Sequence, residues 1–219
     1  MVPALGICRG FLEILEADAR KGGMSGGSMG HVKSYPEALK GQFLIAMPGL
    51  ADPNFHQTVT YLCEHSPEGA VGLVINRVHP HLAMGDVFKE LDLDSVPEMD
   101  ALPLHLGGPV HTEQIFILHG PPFGWQACRP VTSSLALSNS KDILERLALG
   151  KGPEAFILTL GCAGWGPGQL ESEIMANTWL TCPASETIFF ETPVEKRWEA
   201  AAKLMGIDPS RLTDVAGHA

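Results

Sequence analysis

The sequence predicts an α+β fold: a single domain with a mixed β-sheet and flanking helices. Three observations carry this. Residues 58–63, TVTYLC, set Val59, Tyr61 and Cys63 against Thr58, Thr60 and Leu62, which is strand periodicity. A turn, HSPEG, joins them to a second apolar run, AVGLVIN (70–76), so the two form an antiparallel hairpin. Strands and helices then interleave unevenly, unlike the regular alternation of a doubly wound sheet.

The elements follow in order. QFLIAMP, from Gln42, is a short apolar run and reads as a buried strand. ADPNF (51–55) is a turn marked by Asp-Pro. In the hairpin turn, Pro67 presets φ and Gly69 relieves the exit. Met84, Val87, Phe88 and Leu91 recur at i, i+3, i+4 and i+7, one face of an amphipathic helix. LGGPV (106–110) is a turn and IFILHG (115–120) a short buried strand. A helix over about 141–149 buries Ile143, Leu144, Leu147 and Ala148, with Gly150 as its stop. AFILTL (155–160) is apolar throughout, so both its faces are expected to be covered. In TPVEKRW, Thr192 is placed as N-cap, Pro193 as first helical residue and Glu195 as the other half of a capping box. Trp198, Ala201, Ala202 and Met205 then share a face, ended by Gly206.

Residues 1–40 differ from the rest. GGMSGGSMG (22–30) has linker composition, and the preceding FLEILEADARK lacks the cationic start and long apolar run of a signal peptide. We expect a flexible N-terminal extension over 1–40, with Met24 and Met29 as alternative starts, and one domain over 41–219.

Composition narrows the partners. The chain has 219 residues and is 45% hydrophobic and 18% charged, a globular balance. Its formal net charge is -10, and no basic run exceeds two residues. Direct nucleic-acid binding needs Lys and Arg to displace counterions, so it is disfavoured. The five cysteines contain no C-x-x-C, which suits reduced thiols in a cytoplasm. No apolar run approaches the roughly 20 residues of a membrane span.

The densest cluster of special residues is LGCAGWGPGQLESEI (160–174). Cys162 could be a nucleophile, but no histidine adjoins it to act as base. The glycines could cradle phosphate, but the Walker and G-x-G-x-x-G spacings are absent. Glu171 and Glu173 would sit in the first turn of the following helix and repel an anion there. The segment therefore reads as a strand-to-helix corner covered by Trp165. Cys63 and His65 in CEH would share a strand face, yet no second ligand pair completes a zinc site. His79-Pro80-His81 reads as a solvated loop. His105, His111 and His119 flank the Gly107-Gly108-Pro109 turn and could converge. Asp52, Asn54, His56 and Asn76 could line a pocket at the hairpin end, with Trp165 beside it; they serve equally as turn residues. No catalytic, metal or cofactor residue is assigned, so no cofactor is expected.

Segments 41–77, LGGPV, IFILH, GWGPGQLESEI, NTWL, RWEAAAKLMGID and the terminal AGHA, in this order, resemble the AlgH/YqgE family of bacterial proteins. The resemblance covers about residue 41 to the end. It implies an α+β fold with strongly bent, partly split sheets. It brings no established reaction, and carries the label of transcriptional regulator. The expected function is a non-enzymatic cytoplasmic binding or regulatory protein with a protein or small-ligand partner. The alternative is an enzyme or ligand-binding protein with a pocket near the first hairpin and the 161–168 corner.

Overall fold

The computed structural model describes residues 39–208. The expected N-terminal extension up to residue 38 and the terminal AGHA block lie outside the described residues. The strands are β1 (Gln42–Ala46), β2 (Val59–Ser66), β3 (Gly69–Val74), β4 (Val78–Ala83), β5 (Pro103–Leu106), β6 (Val110–His119), β7 (Cys128–Pro130), β8 (Ala136–Ser138), β9 (Phe156–Trp165) and β10 (Trp179–Pro183). The helices are α1 (Met84–Glu90), α2 (Pro97–Asp100), α3 (Lys141–Ala148), α4 (Gln169–Met175) and α5 (Arg197–Leu204).

All ten strands join one curled sheet, whose main path runs β10-β1-β2-β3-β9-β6-β8-β7. Its pairings are antiparallel except that of β5 with β9, so the sheet is mixed and the fold α+β as expected. The expected hairpin is present, pairing β2 with β3 through Thr60↔Val74 and Ser66↔Gly69.

Strand β9 holds the sheet together. Its first half pairs with β6, as in Ile117↔Leu158, and its last residues pair with β3, as in Ala70↔Trp165. The apolar run is buried on both sides because three cores meet it. Ile157 and Cys162 join the core of Phe43, Tyr61 and Phe189. Leu158 joins Phe88, Leu104 and Leu144, between sheet and helices α1 and α3. Ala163 and Trp165 join Leu44, Leu62 and Trp179. Strand β1 is sandwiched likewise: Phe43 and Ile45 enter the first core, Leu44 and Ala46 the third. In the first core, the Phe189 ring lies 4.9 Å from Phe43 and 4.8 Å from Tyr61. The Tyr61 pair is perpendicular and the Phe43 pair tilted by 55°, and such aromatic contacts stabilise beyond area burial.

The chain between β5 and β6 crosses β9 at backbone contact. Gly107 N donates to Leu160 O at 2.7 Å, and Val74 N donates to Gly107 O at 2.8 Å. A Cβ on Gly107 would collide with Gly161 O, and one on Gly108 with the Cys162 carbonyl group. Gly161 itself has φ +72°, and a Cβ there would meet Gly108 O. Three glycines are needed here because two backbones occupy the space of side chains.

Five local expectations are corrected. AFILTL does not end at residue 160; β9 continues to Trp165 because β3 and Val110 supply ladder partners to Cys162–Trp165. The positive φ of Gly161 redirects the strand without ending it. The 192–195 capping box does not form. Thr192 Oγ1 instead donates to Thr187 O at 3.0 Å, closing the π-type turn Thr187–Glu191. A 3-10 turn, Val194–Lys196, then precedes α5. Of the predicted face of α5, Trp198, Ala201 and Ala202 are buried, whereas Met205 is exposed past its end. His79-Pro80-His81 lies in β4, an irregular strand paired with β5, and not in a loop. Finally, a register shift between Leu62 and Glu64 breaks the alternation of CEH. Cys63 joins the aromatic core, whereas His65 Nε2 reaches Glu171 Oε1 of α4 at 2.9 Å.

Helix α5 is fastened by its first two residues. Trp198 Nε1 donates to Ala46 O at 3.0 Å. The buried Arg197 guanidinium donates to Ile75 O, just beyond β3, and through Nε to Thr192 O at 3.1 Å. His105 Nε2 lies 3.5 Å from the same guanidinium. Burial first, and the Arg197 charge second, push the His105 pKa down to about 4. For Arg197, burial lowers the pKa to about 10, still cationic at neutral pH.

Two predictions follow from these contacts. His105 is neutral in the folded protein while its unfolded counterpart, near pH 6.5, takes up a proton. The unfolded state therefore binds more protons as pH falls from about 6.5 to about 4, and stability drops through that window by up to about 3 kcal/mol. Urea midpoints measured across this range should fall with pH, and His105→Gln should flatten the slope; an unchanged slope in the variant would contradict the assignment. The crossing makes a second prediction. Gly107→Ala should lose about 2–4 kcal/mol, because backbone must move. Gly168→Ala, whose Cβ meets nothing within 4 Å, should lose only about 1 kcal/mol for its positive φ. Equal losses in denaturant titrations would remove the crossing from the explanation.

Candidate functional site

Where β9 leaves the crossing it borders a surface groove of about 340 Å³. Gly69, Ala70 and Val71 of β3 form one wall, and Val110 with His111 at the start of β6 forms another. Cys162, Gly164 and Trp165 of β9 lie between them. Glu64 and Glu68 stand at the hairpin end of the groove. Gly164 keeps it open: a Cβ there would meet only Val110 Cγ2, at 3.6 Å. His111 has φ +50°, a backbone conformation few non-glycine residues adopt, as the chain turns out of the Gly107–Gly108 crossing.

The corner proper is short, 166–168. Gly166 N donates to Gln169 Oε1 at 3.0 Å, and Gly168 has φ +72° at the helix N-cap. The two glutamates expected to repel an anion have protein partners. Glu171 meets the buried His65, and Glu173 Oε2 accepts both indole N–H groups, from Trp165 at 2.9 Å and Trp179 at 2.8 Å. Glu173 Oε1 accepts from Gln169 Nε2 at 2.9 Å. This lets two large indoles be buried without an orphaned donor. Phe55 packs on both, at 6.2 Å from the Trp165 ring and 5.5 Å from Trp179.

Cys162 is 1% exposed, and burial pushes its thiol up to about 12. It is a neutral thiol at physiological pH, and an inert one. The neighbouring Cys63 thiol is raised too, first by burial and then by Cys162.

The hairpin-end residues occupy separate places. Asp52 Oδ1 accepts from Asn54 N at 2.8 Å and Asn54 Nδ2 at 3.0 Å, an Asx turn on the exposed loop. His56 is exposed, and its carbonyl accepts from Arg77 Nη2 at 2.8 Å. Asn76 bridges backbone, accepting from Val59 N and donating to Gln57 O, each at 2.8 Å. Of the five sequence candidates, only Trp165 lines the groove, and Asp52, Asn54, His56 and Asn76 do not. The loop reaches Trp165 through Phe55, which the sequence reading passed over. The 161–168 corner named as a pocket location contains Gly164, but neither Gly164 nor Val110 was singled out, for which the available signal was a glycine next to an apolar strand. His105, His111 and His119 do not converge: His105 adjoins Arg197, His111 lines the groove and His119 contacts Ser138. Among the described residues no group of three His, Cys, Asp or Glu is placed to hold a metal ion.

Comparison with known proteins agrees with this architecture. An AlgH-like family model matches residues 43–210. A UPF0301 protein of Desulforapulum autotrophicum is 50% identical over 181 residues, covering 83% of this chain and 96% of that protein. One from Methylococcus capsulatus is 48% identical over 188 residues, 85% of this chain and all of its own length. The solution structure of the AlgH protein from Pseudomonas aeruginosa superposes with a TM-score of 0.70 at 45% identity, over 90% of this chain and 100% of that one. A crystal structure of a Corynebacterium diphtheriae protein shares the fold at 20% identity, with a TM-score of 0.61 over 83% of this chain and 90% of that one. The chain belongs to the AlgH-like family.

Proposed function

We propose that this protein is a non-enzymatic, cytoplasmic binding protein that regulates through a small ligand or protein partner seated in the groove. The groove beside Gly164 is the observation that carries the reading. Its volume, about 340 Å³, is within the usual range of small-ligand sites. Val71, Val110 and Trp165 give it an apolar lining, and Glu64 and Glu68 give it a polar end. The cysteine it contains is a neutral thiol, which suits binding better than nucleophilic attack. The acidic charge of -10 supports a regulatory effect exerted through such contacts and not by direct grip on nucleic acid. No helix among the described residues is long and apolar enough to cross a membrane.

The test is ligand-dependent stabilisation. A compound that binds the native state at one hundred times its Kd adds about 2.7 kcal/mol to stability. Screening metabolites by thermal unfolding should yield such compounds, and Gly164→Val should abolish their effect. Because the new side chain enters the open groove, the variant's own stability should change by less than about 1 kcal/mol. Stabilisation that persists undiminished in Gly164→Val would place binding elsewhere.

A further inference from the structure

A second cavity, which shares Glu64 and Val71 with the groove, leads to a cluster that involves none of the groove's β9 residues. His119, at the end of β6, is fully buried. Its Nδ1 lies 2.6 Å from Gly120 O. A carbonyl can only accept, so Nδ1 carries the proton and Nε2 presents its lone pair. Two donors face that lone pair: Ser138 Oγ at 2.9 Å and Cys128 Sγ at 4.0 Å. They are register partners, Cys128↔Ser138, on adjacent strands β7 and β8. Ser138 is 1% exposed and unreachable, whereas Cys128 is half-buried. The other described cysteines, Cys63, Cys162 and Cys182, are buried.

Cys128 opens into a cavity of about 200 Å³ with Lys40, Arg129 and Glu64 on its walls. Two cations against one carboxylate leave it net positive. β7 ends the main strand path, so among the described residues no strand pairs beyond it.

We propose that Cys128 is a thiol-modification site, with His119 as its proton acceptor, that takes small carboxylate-bearing disulfides. The step balances without another reactant. The Cys128 proton passes to His119 Nε2, and the thiolate attacks one sulfur of the disulfide. A new Cys128–S–S–R bond forms and the old S–S bond breaks. The departing thiolate takes the proton from His119 and leaves as RSH. One disulfide is reduced as one protein thiol is oxidised to the mixed disulfide. Burial lowers the His119 pKa, so the imidazole rests neutral and its protonated form is transient. Lys40 and Arg129 favour an anionic reagent at the cavity mouth.

The pH profile separates this from simple exposure. Moving a proton from Cys128 to His119 changes no net charge, so the reactive form has a pH-independent population near neutrality. An unassisted thiol loses about tenfold in rate for each pH unit below its own titration. The full chain would be reacted with a dianionic aromatic disulfide, 5,5′-dithiobis(2-nitrobenzoate), and with neutral 2,2′-dithiodipyridine, following the released thiol. Intact mass counts the adducts and peptide mapping locates them. We expect a fast adduct at Cys128, absent in Cys128→Ser, with a rate nearly flat between about pH 6 and pH 8. His119→Asn, which can still donate to Gly120 O, should slow the reaction by at least about tenfold and restore the pH slope. Ser138→Ala removes the competing donor and should speed the reaction, which keeps the test decisive if His119→Asn unfolds. Arg129→Gln should reduce the preference for the dianionic reagent. A steep wild-type pH slope, or a Ser138→Ala rate no higher than wild type, would overturn the proposal.

Discussion

The structure depends on one steric constraint: two backbones must touch where the β5–β6 connection crosses β9. Gly107 and Gly108 on one side and Gly161 on the other leave no room for a Cβ. The contact puts the Gly107 amide on Leu160 O and its carbonyl on Val74 N. Three strands are thereby fixed relative to one another by main-chain bonds. The groove beside Gly164 exists because β6 begins here, with Val110 opposite Cys162, before it diverges from β9 and rejoins it at Ile115. Site and fold therefore share one origin.

Much of the architecture was legible because short-range periodicity survives in this chain. The first hairpin, helices α1 and α3 and the apolar character of β9 were all readable from alternation or i, i+3, i+4 spacing. What could not be read came from partners distant in sequence. Nothing local says that LGCAGW continues as strand; the reason is pairing to β3, as in Ala70↔Trp165, far away in sequence. Nothing local says that Thr192 bonds backward to Thr187 in preference to capping α5. The bulge in CEH follows from the ladder with β3 and defeats simple alternation.

The site was less legible than the fold. Polar residues at a turn attract attention, yet Asp52 and Asn76 satisfy backbone groups of their own neighbourhood. The groove is made by Gly164 and by apolar side chains that any strand could carry. The glutamates of LESEI had a sound physical reading as anion-repelling charges, and their partners turn out to be a histidine and two indoles. Carboxylates at such positions anchor α4 to the sheet by charge-assisted hydrogen bonds, which are stronger than neutral ones.

Strand β9 belongs to both halves of the sheet, and each of the three cores takes side chains from it. Neither half can open while the other stays intact without tearing that strand from its ladder. The described domain is accordingly one cooperative unit for hydrogen exchange, with the slowest amides expected along 157–163. An occupant pressing on Gly164 at one end of β9 acts on the strand that the whole molecule shares.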